Sequence, residues 1–206
     1  MPISRRLLLG AGAALAAGWA PAWAQGDPRM AERSIGAAEA PVTVREFFSL
    51  TCPHCAHFHH ESMPQIRKEL VDTGKIRMIF HDFPLDQLAL TAAAVARTLP
   101  PDRYEPFVAA LLASQDRWVY ARGVNNIEEL WKTAALAGLS RSAFDAAVAD
   151  QALKTAILAA QDRDAKQYKI EATPTFVFNG PGMKDRSESG ALSFDAFARL
   201  AAQAAG

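Results

Sequence analysis

The spacing of apolar residues divides the chain into a strand-rich start, a long helical middle and a strand-rich end. Val42-Thr43-Val44-Arg45-Glu46-Phe47-Phe48 is a run of β-branched and aromatic residues, the composition of a buried strand, and it leads directly into Ser49-Leu50-Thr51-Cys52. Pro53 suits the first turn of a helix, Phe58, Ile66 and Leu70 form its apolar stripe, and Thr73-Gly74 is its stop signal, with a kink expected at Pro64. Lys75-Ile76-Arg77-Met78-Ile79-Phe80 alternates basic and apolar residues and predicts a second strand. The intervening helix makes this a βαβ unit, whose crossover favours a parallel pair.

From Leu85 to Gln167 the apolar period becomes helical. Leu88, Val95 and Leu99 form one stripe, ended by Pro100-Pro101, and Phe107, Val108, Leu111 and Leu112 form another. Ile127, Leu130, Trp131 and Ala134 follow, ending near Gly138. Ser140 then caps a helix that carries Phe144, Val148, Leu153 and Ile157. Strand composition returns at Thr175-Phe176-Val177-Phe178, followed by a turn at Asn179-Gly180-Pro181-Gly182 and a strand around Met183 to Ser189. A last helix is capped by Ser193 and turns Phe194, Phe197 and Leu200 inward. The mixed, Gly-containing stretch from Asp27 to Ala40 reads as a surface segment, so that regular structure is expected to begin at Pro41.

Composition adds compartment. At 206 residues, 50% hydrophobic and 21% charged, the chain suits one folded domain with a real core. Ser4-Arg5-Arg6, the apolar run Leu7 to Gly18 and Ala22-Trp23-Ala24 have the layout of a signal peptide over 1–24, cleaved after Ala24 to leave Gln25 as the new terminus. Arg5-Arg6 partly resembles a twin-arginine signal, so both the Sec and the twin-arginine routes stay open. The competing reading, an uncleaved anchor, needs about 20 strongly apolar residues, and Gly10, Gly12, Gly18 and Pro21 dilute this stretch. Loss of Arg5 and Arg6 turns 22 basic against 22 acidic residues into 20 against 22, a net charge of −2 without a basic cluster, which disfavours nucleic-acid binding.

Both cysteines of the chain lie in Cys52-Pro53-His54-Cys55. A thiol at a helix N-terminus faces unsatisfied backbone N–H groups that favour the thiolate, making Cys52 the attacking sulfur and Cys55, one turn deeper, the resolving one. His54 is placed to add a positive charge or an N–H donor beside Cys52, and a more stable thiolate makes a stronger oxidant. Zinc also uses this spacing, but no second cysteine pair exists. A metal role for His54, His57, His59 and His60, four of the five histidines, competes with plain exposure on a helix surface; no metal is expected. Glu46 interrupts an apolar strand. It is read either as a buried acid that exchanges a proton with Cys55 or as a solvated edge-strand charge. Pro174 can open a strand without breaking its ladder, and the sequence by itself favours a trans bond there.

Glu46-Phe47-Phe48-Ser49 leading to Cys52-Pro53-His54-Cys55, then a helical block, then Thr173-Pro174-Thr175-Phe176, resembles the DsbA family over about Pro41 to Ala202. The resemblance implies an α/β thioredoxin fold built from 41–84 and 168–206, with an inserted helical domain over 85–167, preceded by an N-terminal segment at 25–40. It also implies a cis bond before Pro174 that sets the Thr173 backbone beside the disulfide, with Thr173 and Pro174 binding extended substrate peptides strand to strand. Cys52, Cys55, His54, Pro53 and Glu46 would then form the catalytic set, Glu46 as the buried acid, with no cofactor beyond the cysteine pair. The implied activity is a periplasmic protein disulfide oxidoreductase that donates its disulfide to newly exported, reduced proteins and is recycled by a quinone-linked DsbB-type membrane oxidase. A dimeric reductase or isomerase is the alternative. Residues 25–40 leave no room for a dimerisation domain, so a monomer is expected. A non-catalytic peptide- or metal-binding module on the same fold is the remaining reading.

Overall fold

The computed structural model describes residues 27–206; the expected signal peptide, its cleavage after Ala24 and its export motif lie outside the described residues. Strands β1 (Arg33–Ile35), β2 (Val42–Phe48), β3 (Ile76–Asp82), β4 (Thr175–Gly180) and β5 (Met183–Ser189) form one sheet in the order β1-β3-β2-β4-β5. β2 and β3 are parallel, as the βαβ reading requires, and the other pairs are antiparallel. β2 is thus a central strand, and Glu46 lies opposite Phe80 on one side and Phe176 on the other.

Strand alternation assigns the two faces of β2. On one face Phe48 stands against His59 of helix α1 (Pro53–Glu61), while Phe58 of α1 packs on Phe176 and on Phe197 of helix α9 (Phe194–Ala205). On the other face Phe47 and Arg45 meet Tyr168. β5 forms one margin of the sheet, with Lys184, Asp185, Arg186 and Ser187 all exposed.

The helix after Cys52 breaks at Ser62, and Pro64 occupies the first turn of the next segment, α2 (Met63–Ile66), where its missing N–H has no partner to lose. A π-helical turn, Arg67–Val71, completes the crossover. Between β3 and β4 run α3 (Gln87–Thr98), α4 (Pro101–Leu112), α5 (Gln115–Trp118), α6 (Asn126–Leu136), α7 (Arg141–Ala149) and α8 (Gln151–Tyr168). The single helix expected after Ser140 is two. Asp150 leaves helical geometry and its carboxylate accepts from the Leu153 N–H at 2.9 Å, a cap that starts α8 although the apolar period runs straight through.

The expectation that structure starts at Pro41 is corrected, because β1 lies within the preceding segment. Arg33 is buried and donates to the Arg97 and Leu99 carbonyls at 3.2 and 3.4 Å. Arg97 in turn donates to the Ala31 carbonyl at 2.9 Å and to Asp82 at 2.5 Å, and Asp82 accepts from the Tyr104 hydroxyl at 2.8 Å. Three short polar contacts thus bind the N-terminal segment and the helical block to the end of β3.

Candidate active site

The C-terminal end of β2 carries the chain into the Ser49–Cys52 turn, which is closed by a bond from the Cys52 N–H to the Ser49 carbonyl at 3.1 Å. Cys52 caps α1 with extended backbone angles, and Pro53 is the first helical residue, so the free N–H groups of the first turn are directed at the Cys52 sulfur. Cys52 is 5% exposed and Cys55 fully buried; both are free thiols.

The two sulfurs occupy opposed environments. A hydrogen bond from the Cys55 thiol is the largest influence pulling the Cys52 thiol down to about 5, assisted by the Thr173 side chain and by the backbone N–H groups of Cys55 and His54, against the opposing effect of burial. Cys55 is pushed far up, first by burial and then by its bond to Cys52. The first thiol is ionised near neutral pH and the second is held protonated. His54 acts on Cys52 through its backbone, while its ring is exposed.

Ala172-Thr173-Pro174 brings the start of β4 over the pair. The Thr173–Pro174 bond is cis, and the Cys52 thiol donates to the Thr173 carbonyl at 3.3 Å. A thiolate has no proton to give; the Thr173 hydroxyl, buried and without a hydrogen-bond partner, is a donor available to that form. The trans bond favoured by the bare sequence is replaced by the cis bond that the family resemblance implied.

Glu46 is fully buried, which removes the edge-strand reading. Its partner is His59, with Glu46 Oε1 and His59 Nε2 2.9 Å apart. His57 and His60 are exposed, and His60 contacts Glu61 at 2.9 Å. Exposure therefore describes three members of the histidine cluster but not His59, whose side chain is 4% exposed.

Residues from the helical block hold the cysteine turn, and sequence reasoning gave no sign of them. The Gln115 amide donates to the Leu50 and Cys52 carbonyls at 2.8 and 3.1 Å. The Tyr120 hydroxyl donates to the Thr51 carbonyl at 2.7 Å, and the Thr51 hydroxyl to Asp86 at 2.6 Å. Asp86 also caps α3, accepting from the Ala89 N–H at 2.7 Å. Leu85 and Tyr120, which are joined to this turn, and the nearby Val124 are large apolar residues left exposed.

The family model for thioredoxin matches residues 29–194. A protein of Rickettsia typhi named as a protein-disulfide oxidoreductase is 30% identical over 147 residues, 71% of this chain and 54% of that protein. Disulfide bond formation protein D of Bacillus subtilis is 28% identical over 162 residues, covering 73% of this chain and 69% of that protein. The crystal structure of Wolbachia pipientis α-DsbA1 superposes with a TM-score of 0.77 at 27% identity, covering 85% of this chain and 91% of the other. The chain spans about half the length of the rickettsial relative.

Proposed function

The chain belongs to the thioredoxin family, in its DsbA-like group, and from that premise we propose that it is an exported thiol-disulfide oxidoreductase that donates the Cys52–Cys55 disulfide to reduced proteins. One observation carries the reading: Cys52 is drawn down to about 5 while its neighbour Cys55 is driven up. A stabilised Cys52 thiolate lowers the free energy of the reduced pair, which makes the oxidised pair a strong acceptor of electrons.

In the donor half-reaction a client thiolate attacks Cys52 Sγ. The client–Cys52 bond forms, the Cys52–Cys55 bond breaks, and Cys55 leaves with the electron pair and takes up a proton. The client's second thiolate then attacks its own sulfur in the mixed disulfide, releasing Cys52 as thiolate. The client loses two electrons, and the cysteine pair gains them. Thr173 and Pro174, at the mouth of the pair, offer backbone groups to an extended client, and the exposed Leu85, Tyr120 and Val124 offer apolar contact to an unfolded one. His54 and Pro53 shape the helix start, and Glu46 serves the Cys55 proton. The signal-like residues 1–24 support export to the periplasm. A DsbB-type quinone-linked membrane oxidase fits as the partner that restores the disulfide, working on a monomer.

The test is the reduction potential of the purified protein in glutathione buffers, with disulfide formation in a reduced client as the activity. A value near roughly −120 mV, activity lost in Cys52→Ala, and covalent clients trapped by Cys55→Ala are expected. A value near about −270 mV would make the protein a reductant, and full activity in Cys52→Ala would leave only a binding module.

A further inference from the structure

On the face of the sheet turned away from α1, a cavity of about 450 Å³ lies between the strands and α8, within the roughly 300–1,000 Å³ of small-ligand sites. Its floor comes from two paired strands. Arg45 of β2 stands opposite Ile79 of β3, and His81 follows two residues along β3. Ala156, Ile157, Ala159 and Ala160 of α8 form an apolar wall, to which Met30 is added from the turn Pro28–Met30.

Four carboxylates border the cavity, and each is already matched. Asp27 pairs with Arg29 at 2.7 Å, Glu32 with Arg77 at 2.6 Å and Asp82 with Arg97 at 2.5 Å, while Asp164 pairs with His81 at 2.8 Å and with Arg163 at 3.1 Å. Arg45 is the exception: among the described residues no carboxylate pairs with it. Its guanidinium lies over the Tyr168 ring, 5.5 Å from the centroid, and Nη1 is enclosed without a hydrogen-bond partner. The side chain is half-buried and lines the cavity, so Nε and Nη2 are the nitrogens left to meet a ligand. Withdrawing a cation from water without a counter-charge is costly, and stacking on an aromatic ring returns only part of that cost.

We propose that this cavity binds a small monocarboxylate with a short apolar tail, the carboxylate on Arg45 and the tail along the α8 wall. One unmatched guanidinium balances one negative charge, and Nε with Nη2 presents a planar pair of N–H groups that suits the two carboxylate oxygens. The carboxylates around the cavity repel a second negative charge, which disfavours phosphate esters and other dianions. The alanine and isoleucine side chains of the wall offer no hydrogen bond, so they favour hydrocarbon over a sugar or a polar amino acid. This goes beyond the oxidoreductase reading: the cysteine pair belongs to α1 on the opposite face, and the cavity is filled without closing the mouth at Thr173 and Pro174.

The experiment titrates the oxidised mature protein calorimetrically with octanoate, octan-1-ol and inorganic phosphate at one pH and ionic strength. Octanoate should bind saturably with a Kd of about 1 mM or tighter, and the other two at least about tenfold more weakly. Arg45→Met keeps an unbranched side chain on Tyr168 without the charge; octanoate affinity should fall at least about tenfold while that for octan-1-ol holds. Ala160→Leu narrows the cavity from the wall and should weaken both ligands. Both variants should exchange with glutathione at the normal rate, since neither residue touches the cysteine pair. Octanoate binding that does not saturate, or that is equally tight in Arg45→Met, would overturn the proposal and leave Arg45 a packing partner of Tyr168. Phosphate binding as tightly as octanoate would overturn the monocarboxylate assignment. The ligand series on the unmodified protein decides the matter even where a variant folds poorly.

Discussion

One amide nitrogen of Gln115 in the helical block is bonded to the carbonyl of Cys52, 3.1 Å away, and to that of Leu50 at 2.8 Å. Gln115 is buried beside the turn; the Cys52 carbonyl also accepts from the Ala56 N–H, whereas the Leu50 carbonyl relies on the Gln115 amide. The position of the attacking sulfur therefore depends on a residue outside the strand and helix that deliver it.

Gln115→Leu keeps roughly the shape of the side chain and orphans the Leu50 carbonyl, while the Cys52 carbonyl keeps the Ala56 N–H at 3.2 Å. The reduced protein should lose about 1–3 kcal/mol in urea unfolding, and the Cys52 turn should become accessible to alkylation at a faster rate. Unchanged stability would mean that the turn holds itself.

Thr173→Val removes the one side-chain hydroxyl that steadies the Cys52 thiolate. The thiolate absorbance titration should move upward from about 5, and each tenfold loss of thiolate stability should make the reduction potential more negative by ~30 mV. An unshifted titration would assign the low value entirely to Cys55 and the helix start.

Reduced and oxidised forms should respond differently to pH, since the oxidised form has neither thiol. Cys52 is about 5 when folded and ~8.5 when unfolded, so between these values the unfolded chain binds the additional proton and the stability of the reduced form rises with pH. It is lost as pH falls through about 5. Cys55 has the opposite sign: burial favours its neutral form, and that contribution fades once pH passes the ordinary thiol value. The urea midpoint of the reduced form minus that of the oxidised form should increase from pH 5 to 8; a flat difference would contradict the Cys52 assignment.

Asp82→Ala should be among the most damaging changes outside the site. Asp82 is buried beneath Arg97 at 2.5 Å and Tyr104 at 2.8 Å, and its loss leaves a guanidinium enclosed without its carboxylate. About 3–5 kcal/mol should disappear in denaturant unfolding. Asp82→Asn, which keeps the hydrogen bonds but not the charge, should recover part of it.

The sequence disclosed those features whose cause is local. β2 could be read from its β-branched and aromatic run, β5 from the turn before it, and the caps Ser140 and Ser193 from their positions. β1 was missed because Arg33-Ser34-Ile35 has no pattern of its own and is a strand only by pairing with β3. The α7–α8 break was hidden by an apolar period that continues across it, although Asp150 is a cap residue by type. In the site, Cys52 and Cys55 were evident from spacing and Glu46 from its apolar context. His59 was lost among three exposed histidines, and Gln115 and Tyr120 reach the cysteine turn only through the packing of α5 and its following loop. The cis bond at Pro174 came from family resemblance, because residue types alone favour trans.

The charged margin at β5 has a bearing on self-recognition. A protein proposed to receive client chains as added strands presents backbone that invites pairing, and a bare sheet edge elsewhere on it would attract the same clients or a second copy. Lys184, Asp185, Arg186 and Glu188 put both signs of charge along that edge within a few residues, and Arg186 and Glu188 lie 2.6 Å apart. An approaching strand meets charges it cannot desolvate cheaply in either register, so the edge deters fibril-like stacking.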